Sequence, residues 1–389
     1  MATSPAPRRV CFVTGNRAEF GLMERTLSAL AADRRLQLQI VATGMHLDRA
    51  RGYSLREIRR SGFKVDATVP WPATGKQSSS CSIAGATGAA TASLARLFQR
   101  LKTEVVLVVG DRVEPLAAAV AGHVSGRCVA HVHGGDRAPG VIDDSLRHAI
   151  TKLSHLHFPA TKLSANRILR MGEDAWRVRC VGSPGIEGIT QDAASLKEVA
   201  AHIGPLQSRR FALVSYHPAG GDDAGEFVRM QRIQQALLQS AVDSAIFVYP
   251  NNDPGSAGII RALETSSHDS RFAICRNLPR PIYLGLLCHA AMLVGNSSSG
   301  VIEAASFGTP VLDIGPRQHG RERGENVGSV RDADARTIAR AIAKVWNGGT
   351  PVRFPRRNLY GGGPTSRRIA DTLATVQLDS RLLRKLIAY

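Results

Sequence analysis

The feature that most constrains this chain is a series of short apolar runs, each stopping abruptly at glycine or a small polar residue. The clearest is VVLVV at 105–109, closed by Gly110-Asp111. RVCFVT at 9–14 closes on Gly15-Asn16-Arg17, and further runs lie at 36–43 and 128–133. Runs of this length without polar alternation fit strands buried on both faces, as in parallel sheets. Segments 22–31 and 115–123 between them carry helical periodicity. Parallel neighbours need a crossover, so strand–helix–strand order predicts a doubly wound α/β sheet. Residues 191–208 read as a connector. The alternation then restarts, with strands expected at 211–215, 245–249, 271–275, 292–294 and 310–314 and helices between them, for example 226–238. Two Rossmann-like domains follow, 1–190 and 191–364. Residues 74–91, rich in Ser, Gly, Ala and Thr, are either a loop running into a helix or a weak helix start.

At 389 residues and 43% apolar content the chain has material for two cores. No run reaches transmembrane length and residues 1–10 lack a signal-peptide core, so a cytoplasmic protein is expected. Six widely spaced cysteines without a C-x-x-C pair argue against a zinc ribbon or a disulfide framework. The net charge is +18, from 8 lysines and 42 arginines among the basic residues. They are scattered, and aromatics are only 5%, so neither nucleic acid nor a membrane is an expected partner. The charge is either solvated surface or includes a few arginines that hold phosphate.

Ligands of doubly wound sheets bind at the carboxyl ends of strands, so the residues just after each strand matter most. Gly15-Asn16-Arg17-Ala18 permits a tight turn beside a cation, but it is not G-x-G-x-x-G and gives no dinucleotide fingerprint. Asp111 is either an acid/base group or a helix N-cap, with Arg112 beside it. His131-Val-His133-Gly-Gly-Asp136 and Ile142-Asp143-Asp144-Ser-Leu-Arg147-His148 pack carboxylates, histidines and an arginine together. These spacings fit no standard helical zinc motif. Adjacent Asp143 and Asp144 are expected to shift each other's pKa; the alternative is an aspartate-capped helix with His131 buried. Tyr216-His217-Pro218 follows the first strand of the second half. Gly295-Asn296-Ser297-Ser298-Ser299-Gly300 suits a diphosphate at a helix start, with Glu303 one turn in for ribose hydroxyls. The alternative is a serine-capped helix without a ligand. Gly315-Pro316-Arg317-Gln318-His319-Gly320-Arg321 adds two cations.

These motifs, with GDRVE, GVIDDSLRHAITKLSHLHF, YPNNDPGS and GPRQHGRERGEN, resemble the hydrolysing UDP-N-acetylglucosamine 2-epimerases, in family order from Val10 to the C-terminal helix. The group includes bacterial sialic-acid and legionaminic-acid pathway enzymes and the epimerase half of the animal bifunctional enzyme. The resemblance implies a GT-B-like fold: two Rossmann-like doubly wound domains, with UDP in the interdomain cleft. It also implies a C-terminal helix, 365–376 within a segment 365–389, that returns to the first domain. Arg17, Ala18 and Arg112 would meet substrate from the first domain. His217, Asn251, Ser297, Ser298, Glu303, Arg317 and Arg321 would hold UDP from the second, with the Leu278 backbone facing uracil. Asp111, Asp143 and Asp144 fall on the family's catalytic carboxylates, and His133, Asp136 and Arg147 lie in the same cluster.

The implied chemistry on UDP-N-acetylglucosamine is elimination of UDP to a glycal, then hydration to free N-acetylmannosamine. It needs no metal or cofactor, since arginines and backbone N–H groups can stabilise departing diphosphate. The partner is a UDP-sugar, in a homodimer or homotetramer. This chain departs from the family in having neither glutamate that members carry at the positions of His133 and Asp136. Its stretch 137–140 also looks one residue longer than in some members. A UDP-2,4-diacetamido-2,4,6-trideoxyhexose would be a matching change of substrate. Other readings are a GT-B glycosyltransferase, against which the paired aspartates argue, and a non-catalytic nucleotide-sugar-binding protein.

Overall fold

The computed structural model describes residues 6–48, 53–71, 80–137, 142–206, 210–220, 222–250, 254–266, 268–276, 278–331, 334–347, 352–361 and 363–388. The chain divides into two units, Met1–Glu187 with Tyr360–Tyr389, and Gly188–Leu359. The first contains β1 (Arg8–Thr14), β2 (Leu36–Thr43), β3 (Ala67–Val69), β4 (Val105–Val109), β5 (Cys128–Val132) and β6 (Leu156–Phe158). The second contains β7 (Ala212–Ser215), β8 (Ala245–Val248), β9 (Phe272–Cys275), β10 (Met292–Gly295), β11 (Val311–Ile314) and β12 (Val327–Val330). Each unit holds one parallel six-stranded sheet, in the orders β3-β2-β1-β4-β5-β6 and β12-β11-β10-β7-β8-β9.

The apolar runs are continuous because both faces of each sheet are covered. In β4, Val105, Leu107 and Val109 face a core shared with helix Arg17–Ala32 and helix Thr365–Thr375. Val106 and Val108 face the opposite core, with Leu94 and Phe98 of helix Ser80–Arg100 and Ala117 and Ala118 of helix Val113–Val124. Burying each such side chain contributes about 1.5–3 kcal/mol, which is why polar residues are absent from the run. Helix Thr365–Thr375 packs on helix Arg17–Ala32 through Ile369 and Leu373, with the Thr26 and Ser366 hydroxyls 3.2 Å apart. The segment after it is anchored as well. Arg177 donates to the carbonyls of Leu382 and Arg381 at 2.7 and 2.8 Å, and Lys385 lies 2.8 Å from Glu173.

Two points correct the sequence reading, and one open reading is narrowed. Residues 191–208 are not a plain connector: helix Leu196–Ile203 opens there with a Ser195–Glu198 capping box. Strands β3, β6 and β12 carry no run that predicted them. The small-residue stretch 74–91 enters a 21-residue helix, Ser80–Arg100, and residues 72–79 lie outside the described ones. No helix among the described residues is long and apolar enough to cross a membrane.

In each sheet the strand order reverses direction once: between β1 and β4, and between β7 and β10. At such a switch point adjacent loops diverge to opposite faces and leave a crevice at the strand ends. The turns Gly15–Arg17 and Gly110–Arg112 flank the first crevice. His217 and Asn296–Ser299 flank the second.

Candidate active site

At the carboxyl end of the first sheet, one arginine organises the acidic cluster. Arg147, on helix Ile142–Leu153, is only 3% exposed. Its guanidinium bonds the Asp111 carboxylate at the end of β4, donates to the Asp136 backbone carbonyl at 3.0 Å, and lies 3.8 Å from Asp144 Oδ1. The rigid donor fork of arginine suits such a task, because it fixes several acceptors at once. Asp111, Asp136 and Asp144, from three chain segments, thus meet around one buried cation. Asp111 is not a helix cap: Arg112 occupies the N-cap position of helix Val113–Val124.

Asp143 and Asp144 do not form a facing pair. Both lie inside the first turn of helix Ile142–Leu153, and consecutive helical residues diverge by about 100°. Asp144 shares a face with Arg147, three residues on, and His148, whose Nε2 is 3.7 Å from Asp144 Oδ2. Burial holds the His148 imidazole below its ordinary pKa. Asp143 is half-buried.

His133 and Asp136 are tied together. His133 sits at φ +64° and is buried. Its Nδ1 is 2.9 Å from Asp136 Oδ2 and its Nε2 2.9 Å from Ser183 Oγ. A carboxylate only accepts, so the ring proton sits on Nδ1, and in the neutral ring Nε2 accepts from Ser183. Ser164 donates to the other Asp136 oxygen at 2.7 Å. His131 is a structural pin, buried between Gly110 O at 2.8 Å and Thr151 Oγ1 at 3.2 Å, with its pKa pushed down to about 3 by burial.

Beneath the first turn lies a second, buried carboxylate pair. Glu19 Oε2 accepts from the Gly15 amide at 2.7 Å, while Asn16 caps the helix by accepting from the Glu19 amide at 3.0 Å. A Cβ at Gly15 would fall 2.7 Å from Glu114, so the glycine makes room for that side chain. Burial, and then the Glu114 charge, push the Glu19 carboxyl up to about 8. Arg112 Nε approaches Glu114 at 3.5 Å. Arg17 is half-exposed and pairs with Glu57 at 2.8 Å, and Ala18 is exposed beside it.

In the second unit the small polar turn is built on Asn296. Its side chain accepts from the His217 amide at 2.7 Å and donates to the His217 carbonyl at 2.8 Å, joining the ends of β7 and β10. Gly295 has φ +140°, and a Cβ there would lie 2.1 Å from Ser215 O. Ser297 Oγ caps the helix and lies 2.9 Å from Ser299 Oγ, which also meets the Tyr283 hydroxyl. The helix that follows, Ser298–Ile302, is only five residues long. Glu303 is therefore its C-cap rather than a residue one turn into a long helix, and it pairs with Arg280 at 2.9 Å. Hydroxyls and arginines, more than a long helix dipole, are what this turn offers a diphosphate. Arg317 and Gln318 both donate to the Asn296 carbonyl, at 3.2 and 2.8 Å. Arg321 adds its charge to the same loop, near Asp313. Ser298 and Leu278 are half-buried, and Leu278 precedes the Pro279 N-cap of helix Arg280–His289. Asn251 lies outside the described residues, as does the stretch 138–141.

Residues 28–374 match the family model described as UDP-N-acetylglucosamine 2-epimerase. The chain belongs to this family. A Legionella pneumophila relative, a hydrolysing UDP-N,N'-diacetylbacillosamine 2-epimerase, is 36% identical over 98% of this chain and 100% of its own length. A Neisseria meningitidis UDP-N-acetylglucosamine 2-epimerase is 30% identical over 94% of this chain and 95% of its own. The fold is the GT-B-like one of solved family enzymes. The Neisseria meningitidis structure bound to UDP-N-acetylglucosamine superposes with a TM-score of 0.79 at 18% identity, covering 94% of this chain and 99% of that one. A Methanocaldococcus jannaschii structure in complex with UDP-N-acetylglucosamine and UDP gives 0.75 at 18%, with coverage of 94% and 99%.

Sequence reasoning assigned no role to Ser164, Ser183, Glu19, Glu114 or Asp313 in this UDP-N-acetylglucosamine 2-epimerase family member. Ser164 and Ser183 carry no motif, and only tertiary contact reveals them. Glu19 and Glu114 stood inside GNRAEFG and GDRVE. The signal that would have found them is the pairing of each glutamate with a strand-end glycine.

Proposed function

We propose that this chain is a hydrolysing nucleotide-sugar 2-epimerase, acting on a UDP-linked 2-acetamido sugar and releasing UDP and the free 2-epimer. The observation that carries the reading is the convergence of Asp111, Asp136 and Asp144 on the buried Arg147. The carbon-2 proton is weakly acidic, so its removal needs a held carboxylate close by. In the proposed first step one carboxylate of the Asp111–Asp144 set takes that proton. The C–H electrons form the carbon 1–carbon 2 double bond, and the bond to UDP oxygen breaks with its electron pair on UDP. In the second step water adds its hydroxyl to carbon 1 and gives its other proton to a carboxylate, while a protonated acid on the opposite face delivers a proton to carbon 2. Arg147 orients the carboxylates, and the His133–Asp136 couple holds the loop that Arg147 grips. UDP is assigned to Ser297, Ser298, Glu303, His217, Arg317 and Arg321, with Arg17 and Arg112 as further cations for phosphate or sugar. To accept ribose hydroxyls, Glu303 would have to exchange its Arg280 partner for them.

The substrate we assign is a UDP-2,4-diacetamido-2,4,6-trideoxyhexose of the diacetylbacillosamine type. The Legionella relative, matched over its whole length at 36% identity, supports it. The test is parallel turnover of UDP-N,N'-diacetylbacillosamine and UDP-N-acetylglucosamine, with UDP release followed and the sugar product identified by NMR. At least a tenfold higher kcat/KM on the diacetamido sugar is expected, with the 2-epimer as product. Equal or reversed preference would assign N-acetylglucosamine instead. Release of UDP from neither would overturn the enzyme reading.

A further inference from the structure

In the second unit, Asp313 is the penultimate residue of β11, and its side chain is 2% exposed. Arg323, on the loop that follows, places Nη2 3.0 Å from Asp313 Oδ2 and is 24% exposed. The same guanidinium donates to the Gln318 carbonyl at 2.9 Å and to the Ser329 hydroxyl on β12, the strand residue paired with Asp313. Gln318 is itself buried and donates to the Asn296 carbonyl, as Arg317 does. A continuous path therefore runs from Asp313 through Arg323 and Gln318 to the turn that carries Ser297. It closes the loop 315–323 back on its own strand.

We propose that Asp313 and Arg323 are positioning residues: a latch that presets the 315–323 loop so that Arg317 and the serine turn meet the diphosphate of the nucleotide. This rests on UDP being the ligand of that turn. The latch has a cost in the fold. Burial pushes the Asp313 carboxyl up to about 6, against the opposing charges of Arg323, Arg317 and Arg321. A carboxyl whose pKa is raised on folding binds its proton more tightly folded than unfolded. Its contribution to stability therefore falls as pH rises from the usual aspartate range through about 6. The contacts of Asp313, Arg323 and Gln318, which end on the turn carrying Ser297, are what mark the pair as positioning residues.

The experiment uses the full chain and measures binding of UDP by calorimetry and of uridine by ligand-observed NMR. Asp313→Asn, Arg323→Gln, the double variant and Arg323→Lys are compared with wild type. The latch predicts that Asp313→Asn and Arg323→Gln each raise the Kd for UDP about tenfold, change that for uridine less than twofold, and combine without further loss. Arg323→Lys should recover part of the UDP affinity, and the melting temperature of Asp313→Asn at pH 8 should not fall below wild type. UDP binding equal to wild type in both single variants would overturn the latch. So would equal loss for UDP and uridine with a lowered melting temperature, since that is the signature of a general structural role. Should Asp313→Asn fail to fold, the more exposed Arg323→Gln carries the same comparison. Absence of UDP binding by the wild-type protein would overturn the functional reading instead, which keeps the two failures distinct.

Discussion

Arg147 has almost no contact with solvent, yet its guanidinium meets the carboxylates of Asp111 and Asp144 and the backbone carbonyl of Asp136. That arrangement separates the two adjacent aspartates. Asp144 lies on the face of Arg147, whereas Asp143 is one helical step away from it. Asp144→Asn should fold normally and lose about 10²–10⁴ in kcat, the usual loss for an acid/base group. Asp143→Asn should lose less than about tenfold and cost no more than roughly 1 kcal/mol of helix stability. Steady-state kinetics beside thermal unfolding checks both. His133 and Asp136 hold one another, so His133→Gln and Asp136→Asn should slow turnover by similar factors, and the double variant should be no slower than the worse single one. Additive losses would mean separate roles. Glu19 gives a pH signature. Its carboxyl is raised on folding to about 8, so the folded state binds more protons than the unfolded one between the usual glutamate range and about 8. Stability should therefore fall as pH rises through that window. In Glu19→Gln this slope should flatten, as read from melting temperatures between pH 5 and 9. The carboxylates were legible in sequence because the motifs hold them. Their partners Ser164 and Ser183 were not, since they arrive from 28 and 50 residues away by tertiary packing alone.

Among the elements, most strands read correctly have both faces buried, such as Val105–Val109 and Leu36–Thr43, while Phe272–Cys275 was found although it is a half-buried edge. The missed strands Ala67–Val69, Leu156–Phe158 and Val327–Val330 are all sheet edges of three or four residues. An edge strand bonds on one side only and needs no continuous apolar run, so composition leaves little trace of it; Val327–Val330 even contains Gly328 and Ser329. The connector reading failed at 196–203 because its helix is marked by a capping box rather than by a long apolar stripe. The serine turn was found, but its helix stops after five residues, which moves the expected source of diphosphate affinity from the helix dipole to side chains. Gly295 is the tightest point of that turn. Gly295→Ala would drive a Cβ into Ser215 O and force a positive φ on alanine. A loss of about 1–3 kcal/mol is expected, with UDP affinity weakened more than uridine affinity, as measured by thermal unfolding and calorimetry.

At the scale of the whole molecule, the same sheet order occurs twice, and each unit's polar residues gather at its own switch point. The first unit offers carboxylates around a buried arginine, the second hydroxyls, an amide hub and arginines. Proton abstraction and departure of a diphosphate are the two demands of the proposed reaction, and the two sets of groups match them. Membership of the UDP-N-acetylglucosamine 2-epimerase family, over residues 28–374, is consistent with this division. The central claim is that carbon 2 loses its proton and regains one from exchangeable groups. It is tested most directly by running the reaction on a UDP-linked 2-acetamido sugar in heavy water and observing the released sugar by NMR. Elimination followed by hydration predicts the inverted sugar with one deuterium at carbon 2. A released sugar that keeps its original configuration and its carbon-2 proton would mean simple hydrolysis and would contradict the account.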